Sequence, residues 1–272
     1  MHSMEAYELL DAGDGRRLER FGDHVVDRPA PTAWLERRTP SRWAEANLRF
    51  ERDRGWTGPA LATTNADWVV EIADVRMELR PTDAGQVGLF PEHATMLPWL
   101  IDRVRKRDEP SILNLFAYTG LITLALARSG AAVAHVDAAR SAVAWARRNA
   151  ELTGLEDRPI RWLVDDARAF VAREVRRGRR YNGVVLDPPT YGHGTGGKAW
   201  RLDRDLEPLL ADVRRLLVPD GSLLLTAHAE STLPDVLGGS LGPTAETGEV
   251  ELTATSGARL SLGAFARVDG AA

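Results

Sequence analysis

From Ser111 to Ala227 the chain alternates short apolar runs with longer amphipathic ones. Runs at 112–116, 132–136, 160–164, 182–186 and 222–226 have the length and composition of buried strands. Between them, 119–129, 139–153, 166–177 and 203–217 repeat apolar residues at helical spacing, and 231–238 does so weakly. This alternation predicts parallel βαβ units in a doubly wound sheet, because a parallel neighbour is reached only through a crossover that covers a sheet face. The tail departs from it: 248–253 and 259–266, joined by Thr255-Ser256-Gly257-Ala258, predict a closing hairpin whose last strand is antiparallel.

The first ninety residues have another rhythm. Tyr7 to Leu10, Arg16 to Phe21 and His24 to Val26 read as a small β meander with a turn at 11–15, and 68–72 with 75–79 read as a hairpin around Ala73-Asp74. From Asp27 to Pro59 the pattern breaks into Pro, Arg and Trp without periodicity. Met96, Leu97, Leu100, Ile101 and Val104 lie at helical spacing in 93–106, the helix expected to open a second domain. The expected organisation is a β-rich lid or substrate domain over 1–92 and an α/β domain over 93–272. Trp34, Trp43, Trp56 and Trp68 are read mostly as the core of the β-rich part, with base stacking as the competing role.

Composition narrows the chemistry. At 44% apolar and 27% charged, with no apolar run of 18 residues, the chain reads as soluble and globular, and the absence of an export signal near Met1 points to the cytoplasm. Cys is absent, which removes disulfides, thiolate metal sites and any thiol nucleophile, and no metal is expected. A net charge of −4 argues against a broad nucleic-acid-coating surface, so any RNA contact must be local.

Candidate chemistry gathers where strands end, the edge at which doubly wound sheets bind ligands. Asp187-Pro188-Pro189-Thr190-Tyr191 follows the apolar run Gly183 to Leu186. Each Pro fixes φ and removes a donor, so Leu186 and Asp187 are expected to offer carbonyls that no helix or ladder claims, while Tyr191 offers a flat face. Such a lip suits a nucleobase; a Pro-stiffened turn is the structural alternative. Asn114-Leu115-Phe116-Ala117-Tyr118-Thr119-Gly120 is a tight turn into a helix whose first amides can face an anion. It has one glycine fewer than a dinucleotide fingerprint, which favours a group smaller than a pyrophosphate. Asp137 ends the second strand, either as a bidentate acceptor for ribose hydroxyls or as a helix cap. Of Asp165 and Asp166, one suits an adenine amino group and the other a cap.

Phe116 to Gly120, His135-Val136-Asp137 followed by Trp145-Ala146-Arg147-Arg148-Asn149, Asp166-Ala167 and Asp187 to Gly192 resemble the class I S-adenosylmethionine-dependent methyltransferases. Within that class they are most similar to bacterial 23S rRNA methyltransferases of the m5C and m7G type. Leu10 to Gly15 and Gly85 to Glu92 extend the resemblance into the β-rich part, whereas the family's RNA-guiding PUA module has no counterpart in the chain. The resemblance implies a Rossmann-like sheet and S-adenosylmethionine as cofactor. Phe116, Tyr118, Thr119 and Gly120 would surround its methionine moiety, Asp137 its ribose and Asp166 its adenine. Asn114 and Phe90, the latter in a cofactor-capping segment, join the binding set. Asp187, Pro188, Pro189 and Tyr191 would stand at the methyl-transfer end, with rRNA as the acceptor.

Gly221 to Ala229 resembles the segment in which relatives that methylate carbon 5 of cytosine carry Cys, and this chain has Ala227 and Ala229 there. A nitrogen acceptor, needing no covalent activation, is therefore expected. His193 and His228 are candidate bases. Gly192 to Lys198 has P-loop spacing, but Ala199 replaces the hydroxyl that would hold Mg²⁺, so a mobile loop over the acceptor is the preferred reading, with a plain flexible linker as its near rival. A nicotinamide-dependent oxidoreductase and a non-catalytic cofactor- or RNA-binding relative are the alternatives.

Overall fold

Two units divide the chain in the computed structural model, which describes residues 7–64, 68–193, 199–228, 241 and 244–270. One comprises Met1–Thr95 with Glu251–Leu262, the other Met96–Val250 with Gly263–Ala272. The expected boundary at 92/93 thus lies close to the first division, but the tip of the C-terminal hairpin counts with the first unit. Leu260, Ala254 and Ala258 from that tip bury themselves with Leu9, Ala12, Ala30 and Ala33.

In the first unit β1 (Tyr7–Gly13), β2 (Arg16–Phe21), β3 (His24–Pro29), β4 (Leu48–Glu51) and β5 (Gly55–Thr57) form one sheet in that order. The turn expected over 11–15 is only Asp14-Gly15. Both residues have positive φ, 54° and 73°, the twist that lets a two-residue turn join antiparallel strands, so β1 runs on to Gly13. β4 and β5 are too short to leave a periodicity, and two 3-10 turns, Pro40–Glu45 and Pro59–Thr63, fill the Pro-rich stretch around them. β6 (Val69–Ile72) and β7 (Val75–Glu78) form the expected separate hairpin. Trp43 and Trp68 are buried and hydrogen-bonded to Asp11 and to the Phe21 carbonyl, whereas Trp34 is 80% exposed and belongs to no core.

The second unit opens with α1 (Leu97–Arg105), shorter than expected because Pro91–Met96 is a 3-10 turn. β8 (Ser111–Leu115), β9 (Ala132–Asp137), β10 (Ile160–Val164), β11 (Tyr181–Leu186) and β14 (Leu217–Ala227) are parallel, linked by α2 (Leu121–Arg128), α3 (Arg140–Thr153), α4 (Ala167–Arg176) and α5 (Leu202–Leu216). β15 (Glu246–Thr253) and β16 (Arg259–Asp269) complete the order β10-β9-β8-β11-β14-β16-β15, with β16 antiparallel to β14. Alternate strand residues such as Leu113, Val136, Val184 and Leu223 pack with α4 and α5, and the intervening Ile112, Val133, Val185 and Leu224 are buried on the other face. Two-sided burial explains why these strands read as continuous apolar runs. The order reverses between β8 and β11, so a crevice is expected beyond their carboxyl ends. The weak helical pattern at 231–238 lies outside the described residues. Among the described residues no helix is long and apolar enough to cross a membrane.

Candidate active site

At the carboxyl end of β8 the chain turns through Phe116, Tyr118 and Gly120, all left-handed, with φ of 56°, 49° and 93°. Two non-glycine residues in that region cost backbone energy and persist only if neighbours hold them. Asp137, ending β9, is one such neighbour. Its Oδ2 accepts from the Tyr118 amide at 2.8 Å and its Oδ1 from the Ala139 amide at 2.8 Å. Asn149 on α3, fully buried, is another, donating to the Thr119 carbonyl at 2.9 Å. At Gly120 a Cβ would come 3.1 Å from the Ala146 Cβ, so helix packing as well as φ demands glycine.

Beneath this turn lies a buried polar chain. Asn114 donates to the Thr123 hydroxyl at 2.9 Å, and that hydroxyl meets His135 Nδ1 at 2.9 Å. Burial lowers the His135 pKa to about 3, so the ring is neutral. The Thr123 hydroxyl, which accepts from Asn114, links that amide to the neutral imidazole. Asn114 thus supports the turn from below.

Asp137 is half-buried, and burial pushes its carboxyl above the ordinary carboxylate value while the amides of Ala139 and Tyr118 pull it down. Each oxygen uses one lone-pair direction on an amide, leaving another as acceptor. Asp166 is the N-cap of α4, accepting from the amides of Arg168 and Ala169 at 2.9 and 3.2 Å, and Arg168 returns to it through Nε and Nη2 at 3.1 and 2.7 Å. Burial opposes ionisation there, but Arg168 and those amides outweigh it and hold the carboxyl below its ordinary value. Asp165 pairs with Arg173. The cap expected of one member of this pair is therefore Asp166, the residue also placed near adenine.

At the end of β11, Asp187 accepts from the Thr226 hydroxyl at 2.7 Å, and His228 Nε2 lies 3.6 Å from its other oxygen. The carbonyls beside it are less open than the sequence suggests. Thr226 also reaches the Leu186 carbonyl at 3.4 Å, and the Trp200 indole donates to the Pro189 carbonyl at 2.6 Å. Trp200 lies on β13 (Ala199–Arg201), the partner of β12 (Tyr191–His193), and its ring sits 4.9 Å from that of Phe116, joining the two turns. Pro188 is buried, Pro189 exposed, and Tyr191 57% exposed, as an aromatic platform requires. The His193 side chain and residues 194–198 lie outside the described structure. The strand Ala199–Arg201 follows them.

One strand edge thus gathers Phe116, Tyr118, Thr119, Gly120, Asp137, Asp166, Asp187 and Tyr191 within the second unit, with Asn114 under it. Phe90 belongs to the first unit, its ring 5.6 Å from that of His93. Sequence reasoning missed Thr226, Trp200 and the supporting role of Asn149. Only Asn149 left a signal, a polar residue on the buried face of α3.

A family model described as S-adenosylmethionine-dependent methyltransferase matches residues 48–248. Among curated proteins, the chain is 35% identical over 164 residues to a ribosomal RNA large subunit methyltransferase K/L of Methylococcus capsulatus, covering 59% of this chain and 22% of that protein. It is 30% identical over 247 residues to the Shewanella amazonensis protein of the same name, covering 82% of this chain and 34% of that one. The chain therefore spans about a third or less of these relatives' length. Among solved structures, a SAM-dependent methyltransferase from Agrobacterium tumefaciens superposes with a TM-score of 0.89 at 33% identity, covering 98% of this chain and 91% of that one. A candidate methyltransferase from Streptococcus mutans, 17% identical with a TM-score of 0.74 and covering 98% of this chain and 76% of that one, shares the fold.

Proposed function

The chain belongs to the S-adenosylmethionine-dependent methyltransferase family, and we propose that it methylates a base nitrogen of ribosomal RNA without a covalent enzyme–RNA intermediate. Membership disfavours the oxidoreductase alternative. The rRNA target follows the names of the curated relatives. The nitrogen acceptor rests on one observation: where carbon methylation would need a thiolate, the chain has no Cys, and Asp187, Thr226 and His228 stand together at the end of β11.

The polar groups at the strand edge suit the cofactor. Asp137 keeps acceptor capacity for a ribose diol, and no side chain caps α2 behind Gly120, so its first amides suit the methionine carboxylate. Bound S-adenosylmethionine supplies an electrophilic methyl on a sulfonium. In this reading Asp187, held by Thr226, accepts from the acceptor base and fixes its angle, Tyr191 stacks against it, and His228 removes any proton the nitrogen must lose. Asp166, already committed to its cap and to Arg168, shapes the adenine end.

The test is methylation of rRNA from cells lacking this chain, with nucleoside analysis of the product and 5-fluoropyrimidine RNA as a trap. An N-methylated base and no trapped protein are expected. A 5-methylcytosine product or a covalent adduct overturns the reading.

A further inference from the structure

One buried side chain touches both turns of the site and takes no part in the transfer itself. Trp200 is 4% exposed, its indole N–H donates to the Pro189 carbonyl at 2.6 Å, and its ring lies 4.9 Å from that of Phe116. We propose that Trp200 is a positioning residue for methyl transfer, holding the Asp187-Pro188-Pro189 turn and the Tyr191 ring in a set place against the turn that carries Phe116. The inference rests on the proposed roles of Asp187 and Tyr191 in holding the acceptor base.

The sequence of the turn creates the need for a brace. Pro188 and Pro189 have no amide N–H, so this stretch of backbone cannot donate a hydrogen bond to fix itself. At its start Asp187 accepts from the Thr226 hydroxyl at 2.7 Å, and at its end the Thr190 carbonyl accepts from the Leu202 amide at 3.0 Å. Between those two bonds the Trp200 indole grips the turn at Pro189.

Trp200 is itself anchored on both sides. The Ala199 carbonyl accepts from Arg204 Nη2 at 2.6 Å, and the Arg201 amide donates to Asp205 at 2.9 Å. Arg168 pairs with the same Asp205 at 3.0 Å, and its guanidinium carbon lies 5.8 Å from the centre of the Trp200 ring. Residues of α4 and α5 therefore set where the indole stands. Because Arg168 also returns to Asp166, the brace that ends on the acceptor turn starts from the cap at the adenine end.

The hairpin passes this position on to Tyr191. Its register pairs Gly192 with Trp200 and Tyr191 with Arg201, so strand alternation puts Trp200 on one face and Tyr191 on the other. Exposure agrees, with Trp200 buried and Tyr191 57% exposed. Gly192 lets the inner face close, since a Cβ there would stand 3.3 Å from Pro189 Cγ and 3.8 Å from Trp200 Cβ. A Phe in place of Trp200 would fill much of the same space; what it lacks is the N–H aimed at the turn.

The test compares wild type with Trp200→Phe, which keeps a ring beside Phe116 and removes the N–H, and with Gly192→Ala, which keeps the indole and presses on Pro189. Each is read by hydrogen exchange at the Tyr191 and Leu202 amides, by calorimetric titration with S-adenosylhomocysteine, and by single-turnover methylation of rRNA from cells lacking this chain. In both variants exchange at those amides should quicken about tenfold and methyl transfer should slow about tenfold, as expected for one lost buried hydrogen bond, with S-adenosylhomocysteine affinity within about twofold. A role in packing alone would lower the unfolding temperature and leave the transfer rate of the folded enzyme unchanged, and that result in Trp200→Phe overturns the inference. Unchanged exchange at Tyr191 and Leu202, a measurement that needs no acceptor, overturns it as well. So does an equal loss of cofactor affinity and rate, since Trp200 would then act through the cofactor. Should Trp200→Phe fail to fold, Gly192→Ala decides by the same readings. A wild type that binds S-adenosylhomocysteine but methylates no rRNA strikes the proposed function, and the acceptor role of Trp200 falls with it; a wild-type rate in Trp200→Phe beside an active wild type strikes this inference alone.

Discussion

Thr226→Val tests the acceptor end of the site most directly. Val preserves the shape of a side chain that is 2% exposed in the centre of the sheet and removes only the hydroxyl that donates to Asp187 at 2.7 Å. The second contact of that hydroxyl, to the Leu186 carbonyl at 3.4 Å, is long and adds little. A hydrogen bond to a charged group contributes about 1.5–3 kcal/mol net, and the methyl that replaces the hydroxyl returns about 0.8 kcal/mol in apolar burial. Fold stability should therefore fall by about 0.7–2.2 kcal/mol. The chemical step keeps no such compensation, because a freely turning carboxylate no longer fixes the acceptor. A loss of about 1.5–3 kcal/mol at the transition state corresponds to about a 10- to 150-fold slower transfer. Single-turnover methylation of rRNA, beside calorimetric titration with S-adenosylhomocysteine, separates the two effects. The expected result is the slower transfer with cofactor affinity within about twofold, and recovery of most of the rate in Thr226→Ser. A wild-type rate in Thr226→Val, or an equal loss of cofactor affinity, would refute the role of Thr226 in orienting Asp187.

Asp137→Ala should cost about 1.5–3 kcal/mol in S-adenosylhomocysteine affinity, measured by calorimetry, since it removes a ribose acceptor and leaves the amides of Tyr118 and Ala139 unanswered. Burial also raises the Asp137 pKa above 3.8, so the folded state favours the protonated form, and this contribution to stability is lost as pH rises through the folded value. Unfolding curves of wild type and Asp137→Asn should therefore diverge in favour of Asn as pH rises above about 4; parallel curves would contradict the sign. Asp11 behaves oppositely: burial pushes its carboxyl up, but hydrogen bonds from Trp43, Ser256 and Thr39 outweigh it and bring the pKa to about 2. About 2 kcal/mol of stability, present above about pH 4, should be lost as pH falls towards about 2, and Asp11→Asn should lack that acid-dependent loss in thermal unfolding. Tyr191→Ala should raise KM for RNA by the equivalent of about 1–3 kcal/mol and Tyr191→Phe should restore it, because a base stacks on the ring and not on the hydroxyl.

The second unit was largely legible in the chain itself. Its central strands β8, β9, β11 and β14 are buried on both faces and α3, α4 and α5 on one, so apolar runs and helical spacing mark the parallel strands and the helices between them to within about five residues. Acids and glycine at strand ends were visible for a related reason, since turns and caps demand particular residue types locally. What local pattern does not carry is which groups meet. That Thr226 on β14 reaches Asp187, just past β11, depends on the register Leu186↔Leu225, which places the next residue of β14 beside the strand end. That Trp200 ties the Pro189 carbonyl to Phe116 depends on a short hairpin with almost no periodicity. The assignment of Asp166 to its cap depends on the fold of Arg168 back onto it. In the first unit, β4 and β5 are too short to signal, and Arg17, Glu19 and Arg28 look like ordinary exposed charges on β2 and β3 until the sheet buries them together. Sequence determines an element when the forces that form it act between near neighbours in the chain; burial and partnership between distant residues are decided only when the strands pack.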